Sequence, residues 1–157
     1  MDKRYYIAYG SNLNYEQMRW RCPDAKVIGT SVIPDYRLIF KGSKTGSYLT
    51  IEPAEGCSVP VAIWSVSARD EMCLDRYEGF PTFYYKADMV LDITGIRTGK
   101  IRRRKAFVYI MREERQYGMP SRSYLSTCYS GYLRFGFEPE ILFKALEDTM
   151  EEMHEDK

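Results

Sequence analysis

The stretch Tyr9-Gly10-Ser11-Asn12-Leu13 lies between a short apolar run, 5–8, and a segment, 14–22, that is typical of a short helix. The apolar run predicts a buried strand, so the pentapeptide is a strand-to-helix turn. Such a turn exposes backbone N–H groups without partners, and these can bind a small anion. The single glycine matches neither a Walker A loop nor a GxGxxG fingerprint, which favours a carboxylate over a nucleotide phosphate. Alternatively, Asn12 or Asn14 merely caps the helix.

Composition and charge describe an ordinary globular chain. Its 157 residues are enough for a real hydrophobic core, and we predict a single domain over 1–157. The 23 basic and 22 acidic residues give a net charge of +1, so no global field attracts nucleic acid or an anionic membrane. We therefore expect neither as a partner. With no CxxC pair, no signal-peptide core and no apolar stretch of membrane length, a cytoplasmic location is expected.

The chain has one histidine, His154, and it lies in a charged tail that starts at about residue 151. Tails of this composition fray, so His154 is a poor candidate for a site. A Ser-His-Asp triad, a Cys-His dyad and a histidine-based zinc site are therefore excluded. Any chemistry has to use carboxylates, tyrosines and backbone amides.

Sequence periodicity predicts a mixed α/β fold. After the first helix, β-rich runs predict strands at 26–33, 36–41, 48–52, 59–66, 84–93 and 102–111, with turns at 34–35 and 53–58. Capping residues and apolar spacing predict helices at 67–79, 120–135 and 139–153. About six strands and four helices predict a mixed sheet, closed into a small barrel, with the helices packed outside.

Glu78 breaks a local rule, because it is a carboxylate in the last turn of a predicted helix that ends at Gly79. There it faces the negative end of the helix dipole. Aromatic residues surround it in sequence, namely Tyr77, Phe80, Phe83, Tyr84 and Tyr85. Dipole and desolvation both disfavour the ionised form, so both raise its pKa toward the range useful for proton transfer. Alternatively, Glu78 is exposed to solvent or paired with Arg76.

Four motifs, in order, resemble the γ-glutamylcyclotransferase family, including its AIG2-like and bacterial members. They are the strand–YGSNL turn at 5–13, the helix end Asp75-Arg76-Tyr77-Glu78-Gly79, the strand 106–111 with Tyr109, and the Pro-Ser…Tyr…Gly…Gly helix from Pro120 with Tyr124. The stretch 80–83 departs from the family pattern, so the choice between Tyr84 and Tyr85 as the pocket residue stays open.

The resemblance implies a β-barrel flanked by helices, without a metal or cofactor, that closes γ-glutamyl amines or amino acids to 5-oxoproline. Glu78 would be the catalytic acid and base. The substrate-binding residues would be Tyr9, Gly10, Ser11, Asn12, Leu13, Tyr84 or Tyr85, Tyr109 and Tyr124. As bare residues, tyrosines at these two positions more often belong to core packing. The partner is then a small γ-glutamyl molecule, and the protein is a monomer or a homodimer.

Three alternatives remain from the sequence. The same residues would serve a biosynthetic enzyme that removes a γ-glutamyl cap from a specialised amine. A non-catalytic module that binds a small acid would need no glutamate, whereas Glu78 is present. The basic run 102–105 would suit nucleic-acid binding, but four basic residues on a hairpin are more often a solvated strand end.

Overall fold

A computed structural model describes residues 3–155. In chain order the elements are β1 (Arg4–Ala8), a 3₁₀ turn (Ser11–Leu13), α1 (Tyr15–Arg21), β2 (Lys26–Ser43), β3 (Gly46–Val66), α2 (Ala68–Glu78), β4 (Tyr84–Gly95), β5 (Ile101–Met111), β6 (Gln116–Tyr117), α3 (Arg122–Phe135) and α4 (Glu140–Glu155). The predicted mixed α/β class, with a small barrel and four helices, is confirmed.

Five strands close into a barrel in the order β3-β1-β5-β4-β2, because β2 also pairs with β3. Strand β1 is antiparallel to β3, with Ile7 opposite Ile63, and parallel to β5, with Tyr6 opposite Phe107. All other pairings are antiparallel, and β6 adds two residues to the end of β2. The central part of β3, 61–64, is buried on both faces as its unbroken apolar run predicted.

The long β2–β3 hairpin differs from the prediction, which divided each of its strands in two. The pairing shifts between Pro34 and Tyr36, and the intervening Asp35 has φ of +60°. Aspartate tolerates this left-handed conformation better than most residues. The Asp35 carboxylate accepts the Gly56 amide at 3.0 Å, which ties the two strands together across the shift. The turn residues therefore bend a continuous hairpin and do not end it.

Helix ends follow the capping residues closely. Ser67 and Asp70 form a capping box at the start of α2, and Ser121 caps α3. Gly79 and Gly136 end these two helices in the left-handed conformation that glycine adopts without strain. Helix α4 continues to Glu155, so the charged segment after residue 151 is helical as far as the structure describes it.

The core fills the barrel and extends under helices α3 and α4. Among residues 3–155, no helix has the length and apolar character needed to cross a bilayer. One mouth of the barrel brings together the turn after β1, the end of α2 and the first residue of β4. The candidate site lies at this mouth.

Candidate active site

A cavity of about 220 Å³ opens at the barrel mouth. Its walls combine residues from the β1 turn, β3, the α2 end, β4, β5 and α3: Tyr6, Ile7, Tyr9, Gly10, Ser11, Asn12, Tyr48, Leu49, Tyr77, Glu78, Phe83, Tyr84, Tyr109 and Tyr124. Glu78 is the one acidic side chain among these lining residues, and none of them is Lys, Arg, His or Cys. The cavity is therefore a tyrosine-rich pocket around a single carboxylate.

The structure places most of the residues predicted for the site on the cavity wall. Those on the wall are Tyr9, Gly10, Ser11, Asn12, Glu78, Tyr84, Tyr109 and Tyr124. Leu13 and Tyr85 are not on it. Neighbouring strand residues point to opposite faces, so only one of Tyr84 and Tyr85 can face the cavity. Tyr84 does so, whereas the hydroxyl of Tyr85 donates to Glu113 at 2.5 Å on the other face.

The turn after β1 offers fewer free amides than the sequence suggested. The Leu13 amide donates to the Gly10 carbonyl at 3.0 Å, which is the hydrogen bond of the 3₁₀ turn. Its side chain is fully buried in the core. The structure gives the backbone N–H groups of Gly10, Ser11 and Asn12 no acceptor among residues 3–155. These three amides are available to an anion in the cavity.

Glu78 is the last residue of α2 and lies partly buried on the cavity wall. No hydrogen bond or ion pair from residues 3–155, Arg76 included, reaches its carboxylate, and Arg76 is exposed. Burial raises the pKa of Glu78 to about 8, and the positive charge of Arg21 partly opposes the shift. A carboxylate with this pKa can both take up and return a proton near neutral pH.

Arg21, at the end of α1, is the cation that acts on Glu78. Its guanidinium lies over the Tyr77 ring, 3.4 Å from the ring centre, and donates to the Asn12 side-chain oxygen. A second donor contacts Gln17 at 3.1 Å. These contacts hold the charge behind the cavity wall, where it moderates the pKa of Glu78 without neutralising the carboxylate.

Three tyrosines of the cavity donate their hydroxyl protons to acceptor groups of the protein itself. Tyr9 donates to the Tyr109 carbonyl at 2.7 Å, and Tyr84 donates to the Leu49 carbonyl at 2.8 Å. Tyr109 donates to the Asp75 carboxylate at 2.6 Å. Carbonyls and carboxylates only accept, so these phenol oxygens are left with lone pairs. Towards a ligand, the three tyrosines are hydrogen-bond acceptors.

Two other tyrosines have the opposite polarity. The Tyr6 oxygen accepts from the Asn12 amide group at 2.8 Å, and the Tyr124 oxygen accepts from the Leu49 backbone amide at 3.1 Å. The Tyr6 hydroxyl proton remains available to an anion or a carbonyl, whereas the Tyr124 hydroxyl also lies within hydrogen-bonding reach of the Cys128 thiol. Burial is the main cause that raises the pKa of Tyr6 and of Tyr124, so both keep these protons. The cavity therefore presents separate donors and acceptors.

Sequence reasoning missed several lining residues. Tyr6 could have been found from the strand pattern. Side chains two residues apart on a strand share a face, so Tyr6 lies on the same face as Ala8, the last residue of β1 before the turn. Tyr77 was recognised only as a neighbour of Glu78, yet its hydroxyl lies 3.0 Å from the Ser11 hydroxyl. Tyr48 and Leu49 carry no local signal, because they reach the cavity through the β2–β3 hairpin.

The comparison with protein families matches this chain over residues 6–129 to the model described as gamma-glutamyl cyclotransferase, AIG2-like. The chain belongs to this family. The matched span contains every lining residue of the cavity, from Tyr6 to Tyr124. A comparison with curated protein sequences finds no match for this AIG2-like family member.

Solved structures share the barrel fold of this AIG2-like protein. One named gamma-glutamyl cyclotransferase has a TM-score of 0.75 at 22% identity, covering 92% of this chain and 86% of that chain. An uncharacterized protein from Homo sapiens has a TM-score of 0.75 at 24% identity, and the match covers 92% of this chain and 87% of that protein. YkqA from Bacillus subtilis has a TM-score of 0.75 at 17% identity, and the match covers 95% of this chain and 55% of YkqA. At these identities the likeness concerns the fold alone.

Proposed function

We propose that the protein is a γ-glutamylcyclotransferase that converts a γ-glutamyl amine or amino acid to 5-oxoproline and releases the amine. The observation that carries this proposal is Glu78, a carboxylate without a hydrogen-bond or ion-pair partner among residues 3–155, in a tyrosine-lined cavity. Its raised pKa, about 8, suits a group that moves a proton in both directions. Family membership supports the same reaction.

The reaction needs a proton carrier but no enzyme nucleophile. The α-ammonium of the substrate first loses a proton to Glu78. The freed amine attacks its own γ-carbonyl carbon, so a C–N bond forms and closes a five-membered ring. The bond to the leaving nitrogen breaks as Glu78 returns the proton to it. The ring nitrogen then gives up its second proton, which passes through Glu78 to the released amine, so that the amine leaves as an ammonium. Because both reacting groups belong to one molecule, holding it folded supplies much of the rate acceleration.

The polarity of the cavity supports a way to hold the glutamyl group. Its ammonium would lie against Glu78 and the acceptor oxygens of Tyr9, Tyr84 and Tyr109. Its carboxylate, or the oxyanion that develops on the γ-carbonyl, would lie against the free amides of the turn 10–12. Separate ends for the two charges would fold the substrate into the cyclising conformation.

The leaving group would meet an aromatic wall. Tyr48 packs edge-on against Tyr124 and Phe83, with ring centres 5.1 and 6.3 Å apart. Since no Lys or Arg is among the lining residues, the wall offers no positive charge to pair with a carboxylate on the leaving amine. We therefore expect γ-glutamyl amines to react faster than the corresponding γ-glutamyl amino acids. A specialised amine that carries a γ-glutamyl cap falls within this class.

The test uses a panel of γ-glutamyl amides with products identified by mass spectrometry. The panel includes γ-glutamyl-phenylethylamine and γ-glutamyl-phenylalanine, which differ by one carboxylate. We expect 5-oxoproline and free amine in equal amounts. Glu78→Gln should lower turnover roughly 10²–10⁴-fold, whereas Glu147→Gln, on the exposed face of α4, should match the unmodified protein.

The products separate the competing functions. Free glutamate in place of 5-oxoproline would indicate a hydrolase, because water would then have attacked the γ-carbonyl. Saturable binding of the panel without any product would indicate the binding module. Full activity of Glu78→Gln would remove Glu78 from the chemistry. Faster reaction of γ-glutamyl-phenylalanine than of γ-glutamyl-phenylethylamine would contradict the expected preference for amines without a carboxylate.

A further inference from the structure

Asp75 lies behind the cavity and does not line it, yet it controls a residue that does. It precedes Glu78 by three residues on α2, so the two side chains lie on neighbouring parts of one helix face. Its Oδ1 accepts the Tyr109 hydroxyl at 2.6 Å and the Lys86 ammonium at 2.9 Å. One carboxylate oxygen therefore joins strand β5, strand β4 and helix α2.

Lys86 is itself held in place from several sides. It pairs with Glu71 at 2.7 Å and lies 4.5 Å from the centre of the Phe80 ring. Glu71 also pairs with Arg4 at 2.8 Å. With Lys86 and Glu71 fixed, the carboxylate of Asp75 has little freedom to turn away from Tyr109. An ion-paired carboxylate is also a strong acceptor.

The contact determines what Tyr109 can do inside the cavity. Its only hydroxyl proton points at Asp75, away from the ligand, so its oxygen can accept but cannot donate. Burial and the hydrogen bond to Asp75 both raise the pKa of Tyr109, so the phenol keeps that proton. A neutral acceptor close to Glu78 is matched to a ligand group with N–H donors.

We propose that Asp75, anchored by Lys86, is a positioning residue that turns the Tyr109 hydroxyl outward so that its oxygen accepts a hydrogen bond from the substrate's α-ammonium. This inference rests on the proposed function, because it takes the substrate to be a γ-glutamyl compound. Without Asp75 the hydroxyl is free to turn its proton into the cavity, where it would oppose the ammonium.

The test measures the contribution of the α-ammonium to binding by comparing two ligands that differ only in this group. Binding of L-glutamine, which has an α-ammonium and a γ-amide, is compared by calorimetry with glutaramate, which lacks only the amino group. Asp75→Ala and Tyr109→Phe should each lower the affinity for L-glutamine about tenfold or more, since a hydrogen bond to a charged group is lost. Glutaramate affinity should change less than twofold.

Three comparisons distinguish positioning from a merely structural role. In the Tyr109→Phe background, Asp75→Ala should cause no further loss, because Asp75 acts through that hydroxyl. Asp75→Asn keeps an acceptor oxygen and should recover most of the L-glutamine affinity. Asp92→Asn removes an exposed carboxylate that pairs with Arg103, outside the Asp75 cluster, and should leave the preference for L-glutamine over glutaramate unchanged.

A measurement on the unmodified protein covers the case in which Asp75→Ala does not fold. A hydroxyl proton shared with a carboxylate should give a downfield proton NMR signal, assigned by its loss in Tyr109→Phe. We expect the signal to persist when L-glutamine is added, because the proton stays on the Asp75 side. Loss of the signal on binding would overturn the assignment.

The outcomes separate this inference from the proposed function. Turnover by the unmodified protein, together with equal losses for both ligands in Asp75→Ala, would overturn the role of Asp75 and leave the cyclotransferase standing. Additive losses in the double variant would do the same. An unmodified protein that neither binds L-glutamine nor converts any γ-glutamyl amide would overturn both.

Discussion

At the scale of single residues, the site depends on one unusual carboxylate and on where nearby protons are held. Glu78 has no partner among the described residues, although Arg21 lies close enough to affect its pKa. The tyrosines around it are divided into donors and acceptors by fixed backbone and side-chain groups. The cavity thus presents hydrogen-bond donors and acceptors on separate groups around one carboxylate.

The pKa of Glu78 predicts how activity depends on pH. The proposed mechanism starts with the ionised form, so kcat/KM should rise with pH up to about 8, the pKa of Glu78, and then level off. Arg21 favours the ionised form and lowers this pKa. Arg21→Met should therefore raise the pKa and move the rise in kcat/KM to higher pH. The measurement is the pH profile of kcat/KM with one γ-glutamyl amide.

The matched control for this profile is Arg19→Met, because Arg19 is an exposed arginine on the same helix. Its profile should superimpose on that of the unmodified protein. A shift of the Arg21→Met profile to lower pH would have the wrong sign for a nearby positive charge. It would show that Glu78 does not control the ascending limb.

At the scale of elements, helix α3 supports the turn that carries the free amides. Gly131 faces this turn so closely that a Cβ built on it would lie 2.6 Å from the Leu13 Cβ and 2.7 Å from the Leu13 carbonyl carbon. At Gly10, which precedes the turn, an added Cβ would lie 3.2 Å from the hydroxyl oxygen of Tyr124 in α3. Glycines here allow α3 and the turn to approach closely.

Gly131→Ala should destabilise the protein and weaken ligand binding. Alanine favours a helix by up to about 1 kcal/mol over glycine, so without a clash the change would stabilise. Here the added methyl group must push the turn away, which typically costs about 1–3 kcal/mol. Urea unfolding and calorimetry with L-glutamine measure the two effects.

Ser130→Ala is the control for this change, because Ser130 is the exposed neighbour of Gly131 on α3. It should alter neither unfolding nor binding appreciably. A Gly131→Ala variant that is more stable than the unmodified protein, with full affinity, would mean that the turn does not rest on α3.

At the scale of the whole molecule, the last helix is fastened to the middle of the chain. The Thr149 hydroxyl of α4 accepts the backbone amide of Phe40 in β2 at 3.1 Å and donates to the Ala145 carbonyl at 2.7 Å. Both partners are buried. Nearby, Arg37 pairs with Glu152 at 3.0 Å. These contacts hold α4 against the closed barrel.

Thr149→Val should lower the free energy of unfolding by about 1–3 kcal/mol, since the buried Phe40 amide would lose its acceptor. Valine has nearly the same shape, so packing changes little. Thr149→Ser keeps the hydroxyl and should lose less stability. Chemical denaturation at neutral pH compares the three proteins. Equal stability of Thr149→Val and the unmodified protein would show that the contact contributes nothing.

The sequence by itself determined the helices and the order of the motifs. Helix boundaries followed from local signals such as Ser67, Ser121 and the glycines at 79 and 136, because capping depends on a few adjacent residues. Glu78 stood out because it violates such a local rule. The turn after β1 was recognised from its position between a strand and a helix.

Only the tertiary structure decided which side chains share the cavity and what each can do there. Tyr48 reaches the cavity through a hairpin whose bend depends on long-range pairing, and Asp75 meets Tyr109 across 34 residues of chain. The polarity of a tyrosine depends on which distant group takes or gives its proton. A local pattern contains no information about such contacts, because closing the barrel is what creates them.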